Sequence, residues 1–274
     1  MLRRISGLSV YENVMELLNA DRIKELLENS TFSKNIRIHR SLPSTNSMAK
    51  ELYGQGAADG TVILAEEQTA GRGRMDRRWL SPACKNILIS VLLKPVMKVE
   101  NIYTLTLALA AAGIDAIGDL NGLSSMIKWP NDIYLNNKKL AGILTEFRIR
   151  GKSPAYVILG MGLNVNWNPE KDILFSSTCI LNETGQETSR NRLIAGILLR
   201  FEKFYRDIIN DDLEEFYDRI NGLSLLTGKE VSVDTGSGKI QGRVLGLDKQ
   251  GGLILEGHDG IVKNILNGDV SIEF

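Results

Sequence analysis

Two apolar, β-rich runs separated by an arginine-rich loop constrain this chain more than any other feature. Residues 61–66 and 86–94 read T-V-I-L-A-E and N-I-L-I-S-V-L-L-K, compositions typical of buried strands. The loop between them carries four arginines and two glycines: Arg72, Arg74, Arg77, Arg78, Gly71 and Gly73. Because glycine lacks a Cβ, such a loop lets backbone N–H groups and guanidinium forks approach an anion. The sequence therefore predicts a phosphate-binding loop between two central strands, with a solvated surface turn as the alternative.

Composition limits the classes of protein that this chain can belong to. Its 274 residues are 43% hydrophobic, enough for a large core, and 33 basic residues are balanced by 33 acidic ones. Zero net charge disfavours general nucleic-acid binding, which requires many neutralised phosphates. Cys84 and Cys179 form no Cys-x-x-Cys pair, which predicts neither a disulfide framework nor a zinc site. We find no apolar run of membrane-spanning length and no secretory signal, so we expect a soluble cytoplasmic protein.

Hydrophobic spacing gives a provisional order of elements. Residues 11–29 predict two short helices broken at 19–21, with Asp21 as a cap, and Ser44 or Thr45 is expected to cap a helix reaching Tyr53. Further helices are predicted at 101–117, 190–209 and 212–220. Further strands are predicted at 36–39, 126–129, 133–135, 139–149 and 156–165. From residue 223 onward, short alternating segments separated by Gly and Asp turns indicate a small appended β-barrel; its predicted strands read K-E-V-S-V, I-Q-G-R-V-L-G-L, G-L-I-L-E and D-V-S-I-E-F.

Single motifs are weak here. Gly160-Met161-Gly162 does not continue as a dinucleotide fingerprint, because Val165 stands where a third glycine is needed and the stretch lies inside a predicted strand. Taken alone, Lys128 is a solvated strand-end lysine and Gln68 is a loop residue.

Five segments in fixed order resemble the biotin protein ligases. They read S-T-N, E-Q-T-A-G-R-G-R, K-W-P-N-D, K-L-A-G-I-L-T-E and G-M-G-L-N-V-N. The resemblance covers about residues 36–273, including R-V-L-G-L-D and G-D-V-S segments similar to that family's SH3-like barrel. The ordered set is specific, although each member is weak.

The resemblance implies an α+β fold: a central mixed β-sheet with packed helices, like that of class II aminoacyl-tRNA synthetases and biotin ligases, plus a small C-terminal SH3-like β-barrel. The corresponding segments are a short helical extension at 1–33, a catalytic domain at 34–222 and the barrel at 223–274. The short extension disfavours a winged DNA-reading domain, and with it transcriptional repression.

The implied reaction is attack of the biotin carboxylate on the α-phosphate of ATP, giving biotinyl-5′-AMP, followed by transfer of biotin to a lysine of a biotin carboxyl carrier protein. A carboxylate with a pKa of about 4.3 is already ionised at neutral pH, so the first step requires no general base. This agrees with a chain whose two histidines, His39 and His258, lie outside every motif.

By resemblance, Lys128 and Arg74 are the catalytic residues. The implied biotin-binding residues are Ser44, Thr45, Asn46, Gln68, Arg72, Gly73, Gly142, Gly160 and Gly162. The implied ATP-binding residues are Arg74, Arg77, Trp79, Lys128, Asn131 and Asn164. Within these sets, Trp79 is the expected wall beside adenine and Asn164 the contact to its edge, while the strand glycines would leave room for the valeryl tail. Mg²⁺ is implied on the triphosphate, with no metal-binding residues in the chain.

The implied partners are the carrier protein, the small molecules biotin and ATP, and a second copy of the chain paired through its sheet; membrane and DNA are not expected. One departure affects the loop. Where the family often reads G-R-G-R-R-G-R-x-W, this chain has Met75 and Asp76, so a glycine is replaced by a carboxylate. The carboxylate lies between Arg74 and Arg77 in the sequence.

Two alternatives stay open. A lipoate or octanoate ligase or transferase resembles this family in fold, although the polar S-T-N segment and Gln68 favour a ureido ligand over an apolar acyl chain. A nucleic-acid-binding module built on the G-R-G-R loop and the terminal barrel is opposed by the zero net charge.

Overall fold

A computed structural model describes residues 16–167 and 176–272. Its helices are α1 Ala20–Leu27, α2 Thr45–Gly54, α3 Ile102–Asn121, α4 Ile180–Thr184, α5 Arg190–Ile209 and α6 Glu214–Gly222. Its strands are β1 Ile36–Leu42, β2 Thr61–Gln68, β3 Ile87–Leu93, β4 Met126–Lys128, β5 Asp132–Leu135, β6 Lys138–Arg150, β7 Ser153–Leu163, β8 Glu230–Asp234, β9 Lys239–Leu247, β10 Leu253–Glu256, β11 Val262–Ile265 and β12 Asp269–Ile272.

The first seven strands form one mixed sheet in the order β1-β2-β3-β7-β6-β5-β4. β1 and β2 run parallel and the other neighbours are antiparallel. The long β6–β7 hairpin turns at Gly151, whose φ of 66° lies in the left-handed region that glycine adopts readily. In register, Gly142 of β6 pairs with Gly162 of β7, so two residues without side chains lie side by side at the centre of the sheet.

The two faces of this sheet are covered by different helices. The larger core packs α1, α3 and α5 against the even-numbered residues of β2, such as Val62 and Leu64. The smaller core packs α2 against the odd-numbered ones, such as Ile63 and Ala65. Since both faces of β2 are buried, its continuous apolar run follows from its central position.

Helix α3 corrects one expectation. The stretch Val99–Asn121 is long and apolar enough to cross a membrane, so a run of spanning length does exist; 78% of its most apolar window is buried inside the protein. The helix ends at Gly122, which adopts φ 67° and donates its N–H to the Gly118 carbonyl, as glycine commonly does after a helix.

The last five strands form a separate antiparallel sheet in the order β11-β10-β9-β8-β12. The prediction of a small C-terminal β domain is therefore confirmed, although β11 was missed because the stretch Val262–Ile265 interrupts its apolar residues with Lys263 and Asn264. The Trp129 indole N–H donates to the Gly251 carbonyl at 2.9 Å and ties this sheet to the first. Ile127 of β4 donates its N–H to the Leu223 carbonyl and accepts from the Leu225 N–H, each at 2.8 Å.

The predicted N-terminal helices require correction. Residues 16–19 are not helical, and residues 11–15 of the first predicted helix lie outside the described part of the chain. The second helix begins at Ala20 and is capped by Asn19, whose side chain accepts from the Arg22 N–H at 2.9 Å. Asp21 instead lies inside the first turn, because Asn19 already has the extended backbone that a cap requires. Helix α4 was not predicted, since its five residues are too few to show a helical period.

Candidate active site

A cavity of about 420 Å³ lies between the arginine-rich loop, the adjoining ends of β4 to β7, and the start of β12. Every residue that the sequence assigned to biotin, ATP or catalysis lines this cavity, although those residues come from segments far apart in the chain. They are Ser44, Thr45, Asn46, Gln68, Arg72, Gly73, Arg74, Arg77, Trp79, Lys128, Asn131, Gly142, Gly160, Gly162 and Asn164.

One part of the cavity is a neutral polar cluster at the start of α2. The side-chain oxygen Oε1 of Gln68 accepts from the Thr45 backbone N–H at 2.7 Å and from its hydroxyl at 3.0 Å. Ser90 of β3 lies beneath, with its Oγ atom 2.7 Å from Thr45 Oγ1 and 2.6 Å from Asn46 Oδ1. Sequence reasoning missed Ser90; its one signal was a hydroxyl inside an otherwise apolar strand. These groups hold one another in fixed orientations, so a neutral polar ligand meets a preorganised surface.

The three strand glycines lie close to side chains from other parts of the site. A Cβ at Gly160 would lie 2.1 Å from Asn46 Oδ1, and one at Gly162 would lie 2.3 Å from Trp79 Cε2. At Gly142 it would meet the Lys139 side chain at 3.2 Å. The absence of a Cβ lets polar and aromatic side chains of the site approach the backbone of β6 and β7. The same glycines line the cavity, and their role in leaving room for the valeryl tail stays a prediction.

The arginine-rich loop folds back on itself as a tight turn. Gly73 N–H donates to the Arg77 carbonyl at 2.6 Å, and Trp79 N–H donates to the Gly71 carbonyl at 3.0 Å. A Cβ at Gly71 would lie 2.6 Å from the Trp79 carbonyl oxygen, so this close approach requires glycine. Met75 and Asp76 sit at the tip with φ of 54° and 56°, a left-handed conformation in which aspartate is among the better tolerated residues.

Two arginines of the loop contact the C-terminal domain. Arg74 donates to Asn131 Oδ1 at 3.1 Å, to Asn267 Oδ1 at 2.6 Å and to the Gly268 carbonyl at 3.1 Å. Arg77 forms an ion pair with Asp269 at 2.5 Å. Burial lowers the pKa of Arg74 from its usual value, and the nearby Asp269 and Asp132 carboxylates oppose that change. The sequence did not predict that the start of β12 and the turn before it would help hold these guanidinium groups.

Two lysines bring ammonium groups to the cavity. Lys128 Nζ lies 3.5 Å from the Tyr134 hydroxyl and 5.0 Å from the centre of its ring. Burial lowers the pKa of Lys128, and the carboxylates of Asp132 and Asp269 partly oppose this. The second lysine, Lys139, is paired with Asp132 at 2.7 Å.

Lys139 was absent from the predicted site, although it begins the K-L-A-G-I-L-T-E segment on which the resemblance rested. Its Nζ atom lies 6.0 Å from the centre of the Trp79 ring, at the limit of a cation–π contact. Its position in that segment was the signal that could have identified it.

Two asparagines of the predicted site form side-chain hydrogen bonds to other residues of the protein. Asn164 donates to the Thr178 carbonyl at 3.1 Å and accepts from Asn86 Nδ2 at 3.3 Å. Asn131 donates to the Ile143 carbonyl at 2.6 Å while accepting from Arg74. Both therefore shape the cavity wall, and their roles toward adenine and phosphate stay predictions.

Comparison with known families and proteins agrees with this geometry. Residues 38–164 match the model of the biotin/lipoate A/B protein ligase family, and residues 226–272 match the biotin protein ligase C terminal domain. The bifunctional ligase/repressor BirA of Bacillus subtilis is 35% identical over 261 residues, which cover 93% of this chain and 79% of that protein. The biotin–[acetyl-CoA-carboxylase] ligase of Mycobacterium tuberculosis is 33% identical over 219 residues, covering 78% and 80%.

Solved structures show the same similarity. Biotin protein ligase from Aquifex aeolicus in complex with biotin and ATP has a TM-score of 0.76 and 31% identity, covering 88% of this chain and 99% of that one. The mixed sheet, the cationic cavity and the small β domain thus define the class, a ligase of the biotin and lipoate type. With both models and the relatives matched, the chain belongs to the biotin/lipoate A/B protein ligase family, and within it to the biotin protein ligases.

Proposed function

We propose that this enzyme activates biotin with ATP to biotinyl-5′-AMP and then transfers biotin to a lysine of a biotin carboxyl carrier protein. The observation that carries the proposal is the cavity itself, in which a neutral polar cluster and a set of cationic side chains line one volume. A ligand with an uncharged hydrogen-bonding head and a carboxylate matches the neutral polar cluster and some of the cationic side chains. A triphosphate matches the remaining cations.

In the first step the biotin carboxylate attacks the α-phosphorus, and pyrophosphate leaves. The carboxylate is ionised at neutral pH, so the main obstacle is repulsion between two anions. Two unit charges 4 Å apart repel by roughly 4 kcal/mol at an effective dielectric near 20. We assign Lys128 to both anions, where its ammonium group lowers this repulsion and stabilises charge that builds at phosphorus. Lys139, paired with Asp132 on the same wall, is a second cation within the cavity.

The neutral cluster is assigned to the ureido ring of biotin. Ser44, Thr45 and Gln68, with the backbone at Arg72, supply donors and acceptors of the kind that a urea group requires. Asn46 is fixed over Gly160 by Ser90 and by its own donation to Glu146 Oε2 at 2.8 Å. Trp79 lies on Gly162 of β7, outside this cluster, and its indole is assigned to the wall beside adenine.

Arg74 and Arg77 are assigned to the phosphates. Arg77 is paired with Asp269, the first residue of β12, and Arg74 is bonded to neutral oxygens of the turn before it, so an incoming triphosphate would compete with Asp269 for Arg77 and give Arg74 a charged partner. This exchange links nucleotide binding to the C-terminal domain. Deleting residues 223–274 should therefore raise the KM for ATP or impair transfer while leaving the first sheet folded, and a fully active truncated protein would contradict the assignment.

Mg²⁺ is proposed to enter with the nucleotide. Within residues 16–167 and 176–272, no group of three or more His, Cys, Asp or Glu side chains is placed to hold a metal ion. Magnesium in nucleotide enzymes usually binds substrate phosphates with one or two carboxylates, and the cavity contains Asp132 and Asp269. The donor set therefore fits a magnesium ion carried by ATP, where it neutralises phosphate charge.

The loop around Arg72 to Trp79 is proposed to tighten over the ligands and keep water from the acyl-adenylate. Its tip is held mainly by its own backbone and by contacts that the ligand is expected to replace. Protease cleavage between Gly71 and Trp79 should slow when biotin and ATP are added. Equal cleavage in both conditions would contradict this closure.

The deciding test for the substrate is direct. Purified protein is incubated with ATP, Mg²⁺ and either biotin or lipoate, and the acyl-adenylate is identified by mass spectrometry. We expect the adenylate of biotin, and transfer to a recombinant biotin carrier domain. The family model names both biotin and lipoate ligases, so lipoyl-adenylate is the alternative outcome; the polar cluster at Gln68 and the matched C-terminal domain favour biotin.

We further propose that the enzyme is a cytoplasmic homodimer. β1 lies at the edge of the first sheet, where a second copy of the chain could add its own strand. Cys84 and Cys179 are free thiols, as expected in a reducing compartment. Sedimentation equilibrium should detect a dimer that is favoured by biotin and ATP, and a monomer at all concentrations would refute it. Cell fractionation tests the compartment.

A further inference from the structure

A buried ion pair outside the cavity connects the base of the arginine-rich loop to helix α5. Arg190, the first residue of α5, lies 2.6 Å from the Oε2 atom of Glu66, and their side chains are only 2% and 6% exposed. The other carboxylate oxygen of Glu66 accepts the backbone N–H of Leu18 at 2.6 Å. Neither charged residue lines the cavity or has a place in the proposed chemistry.

This pair lies where the loop leaves the sheet and where it returns. Glu66 is near the end of β2, and its carbonyl accepts the Cys84 N–H at 3.0 Å on the returning side. Arg190 also donates to the carbonyl of Asn86 at 3.3 Å, immediately before β3. One guanidinium group therefore contacts both ends of the loop.

The same network extends in two further directions. Arg190 donates from its second terminal nitrogen to the Glu16 carbonyl at 2.6 Å, which holds residues 16–18 against the loop base. On the other side, Asn86 accepts from the Val165 N–H at 2.9 Å and donates to Asn164 Oδ1, a residue of the cavity wall. A continuous set of hydrogen bonds thus joins the segment 16–18, the loop base and the cavity.

We propose that Arg190 and Glu66 are positioning residues, which fix the two ends of the arginine-rich loop relative to Asn164, and that residues 16–18 are part of this base. A buried ion pair gains little stability over apolar residues of the same size, yet it is satisfied only when its partners keep their geometry. That property suits an ion pair that must hold the two ends of a loop in a fixed relative position. The inference rests on the proposed function, because it concerns the loop assigned to biotin and ATP.

Arg190→Lys is the main test, because lysine keeps the charge but loses the planar fork that reaches three partners. Arg200→Lys is the matched control on the same helix: Arg200 bonds to Asp119 and to the Gly196 carbonyl, away from the loop. For each protein, kcat and KM for biotin-dependent ATP–pyrophosphate exchange are measured well below Tm. Cleavage of the loop by protease is measured without ligand.

We expect Arg190→Lys to lower kcat/KM by about tenfold to a hundredfold, because displacement of reacting groups by about 1 Å costs on the order of a hundredfold. Its loop should also be cleaved faster than in wild type, while Arg200→Lys matches wild type in both measurements. A lower Tm with unchanged kcat/KM and cleavage rate would overturn the proposal, since the pair would then only stabilise the fold.

If Arg190→Lys does not fold, Glu66→Gln takes its place, because the amide oxygen can still accept from Leu18. Loss of folding in both variants would also overturn the proposal. Absence of exchange activity in the wild type would refute the proposed function alone, because the ligand-free cleavage comparison does not depend on it.

Discussion

Replacing Lys128 with alanine removes an ammonium group that, among the residues the structure describes, has no carboxylate within 4.0 Å, although Asp132 and Asp269 act on it from farther away. Its Nζ atom contacts Tyr134 instead, at 3.5 Å from the hydroxyl. Burial lowers the pKa of Lys128, so the protein keeps a cation in a place where charge is disfavoured. A cation held in this way is available to the reactants rather than to a neighbouring side chain.

The expected loss follows from electrostatics. At about 4 Å and an effective dielectric near 20, one unit charge interacts with another by roughly 4 kcal/mol. Each 1.4 kcal/mol or so corresponds to a tenfold change in rate, which sets an upper limit of about a thousandfold. Lys128 is only half-buried and the arginines remain, so we expect Lys128→Ala to slow adenylate formation by about a hundredfold, similar to the loss of one oxyanion donor.

Biotin-dependent exchange of pyrophosphate into ATP measures this step without the carrier protein. Lys138→Ala is the matched control, because Lys138 is an exposed lysine at the start of β6 that is not among the cavity residues. The control should keep the wild-type rate and both variants should keep the wild-type Tm within a few degrees. Wild-type exchange in Lys128→Ala would refute the assignment of this ammonium group to the reactants.

Three more perturbations test the site. Gly160→Ala places a Cβ 2.1 Å from Asn46 Oδ1, so calorimetry should show biotin binding weakened at least about tenfold, whereas Gly54→Ala, with nothing within 4 Å, should bind normally. Asp76→Val puts a β-branched residue at φ 56°, which costs about 1–2 kcal/mol and should raise the KM for ATP. Asp76→Gly should leave this KM unchanged, and an equal rise in KM for both variants would exclude backbone strain as the cause. Lys128 loses its charge as the pH rises through its pKa, which burial lowers. On raising the pH, kcat/KM should therefore begin to decrease at a lower pH than an ordinary lysine would give, and Lys128→Arg should move this decrease to higher pH.

The sequence was informative where function depends on local motifs in a fixed order. Ser44, Gln68, Arg74 and Lys128 were identified from segments that each read as ordinary caps, loops or strand ends, and the fold brings them to one cavity. The central strands were also predicted, because β2 is buried on both faces and therefore has a continuous apolar run. These properties are local in sequence even though their consequences are not.

What the sequence did not reveal depended on contacts between distant segments. The side chains that pack on Gly160 and Gly162 are Asn46 and Trp79, which come from other segments of the chain. The pairing of Arg77 with Asp269 joins residues far apart in the chain and has no local signature. Lys139 was overlooked because the segment K-L-A-G-I-L-T-E was used as a whole for the family resemblance, without a role for its first residue.

The departure from the family pattern in the loop has a conformational explanation. The family often carries glycine where this chain has Asp76, and the structure shows why a glycine suits that place, since φ is 56° there. Among residues with a side chain, aspartate and asparagine tolerate this region best, so the turn can be kept without glycine. In the sequence this carboxylate sits among the arginines, yet Asp76 is not among the cavity residues. What the loop must preserve at this position is therefore a backbone angle, and the charge of the residue that supplies it matters less.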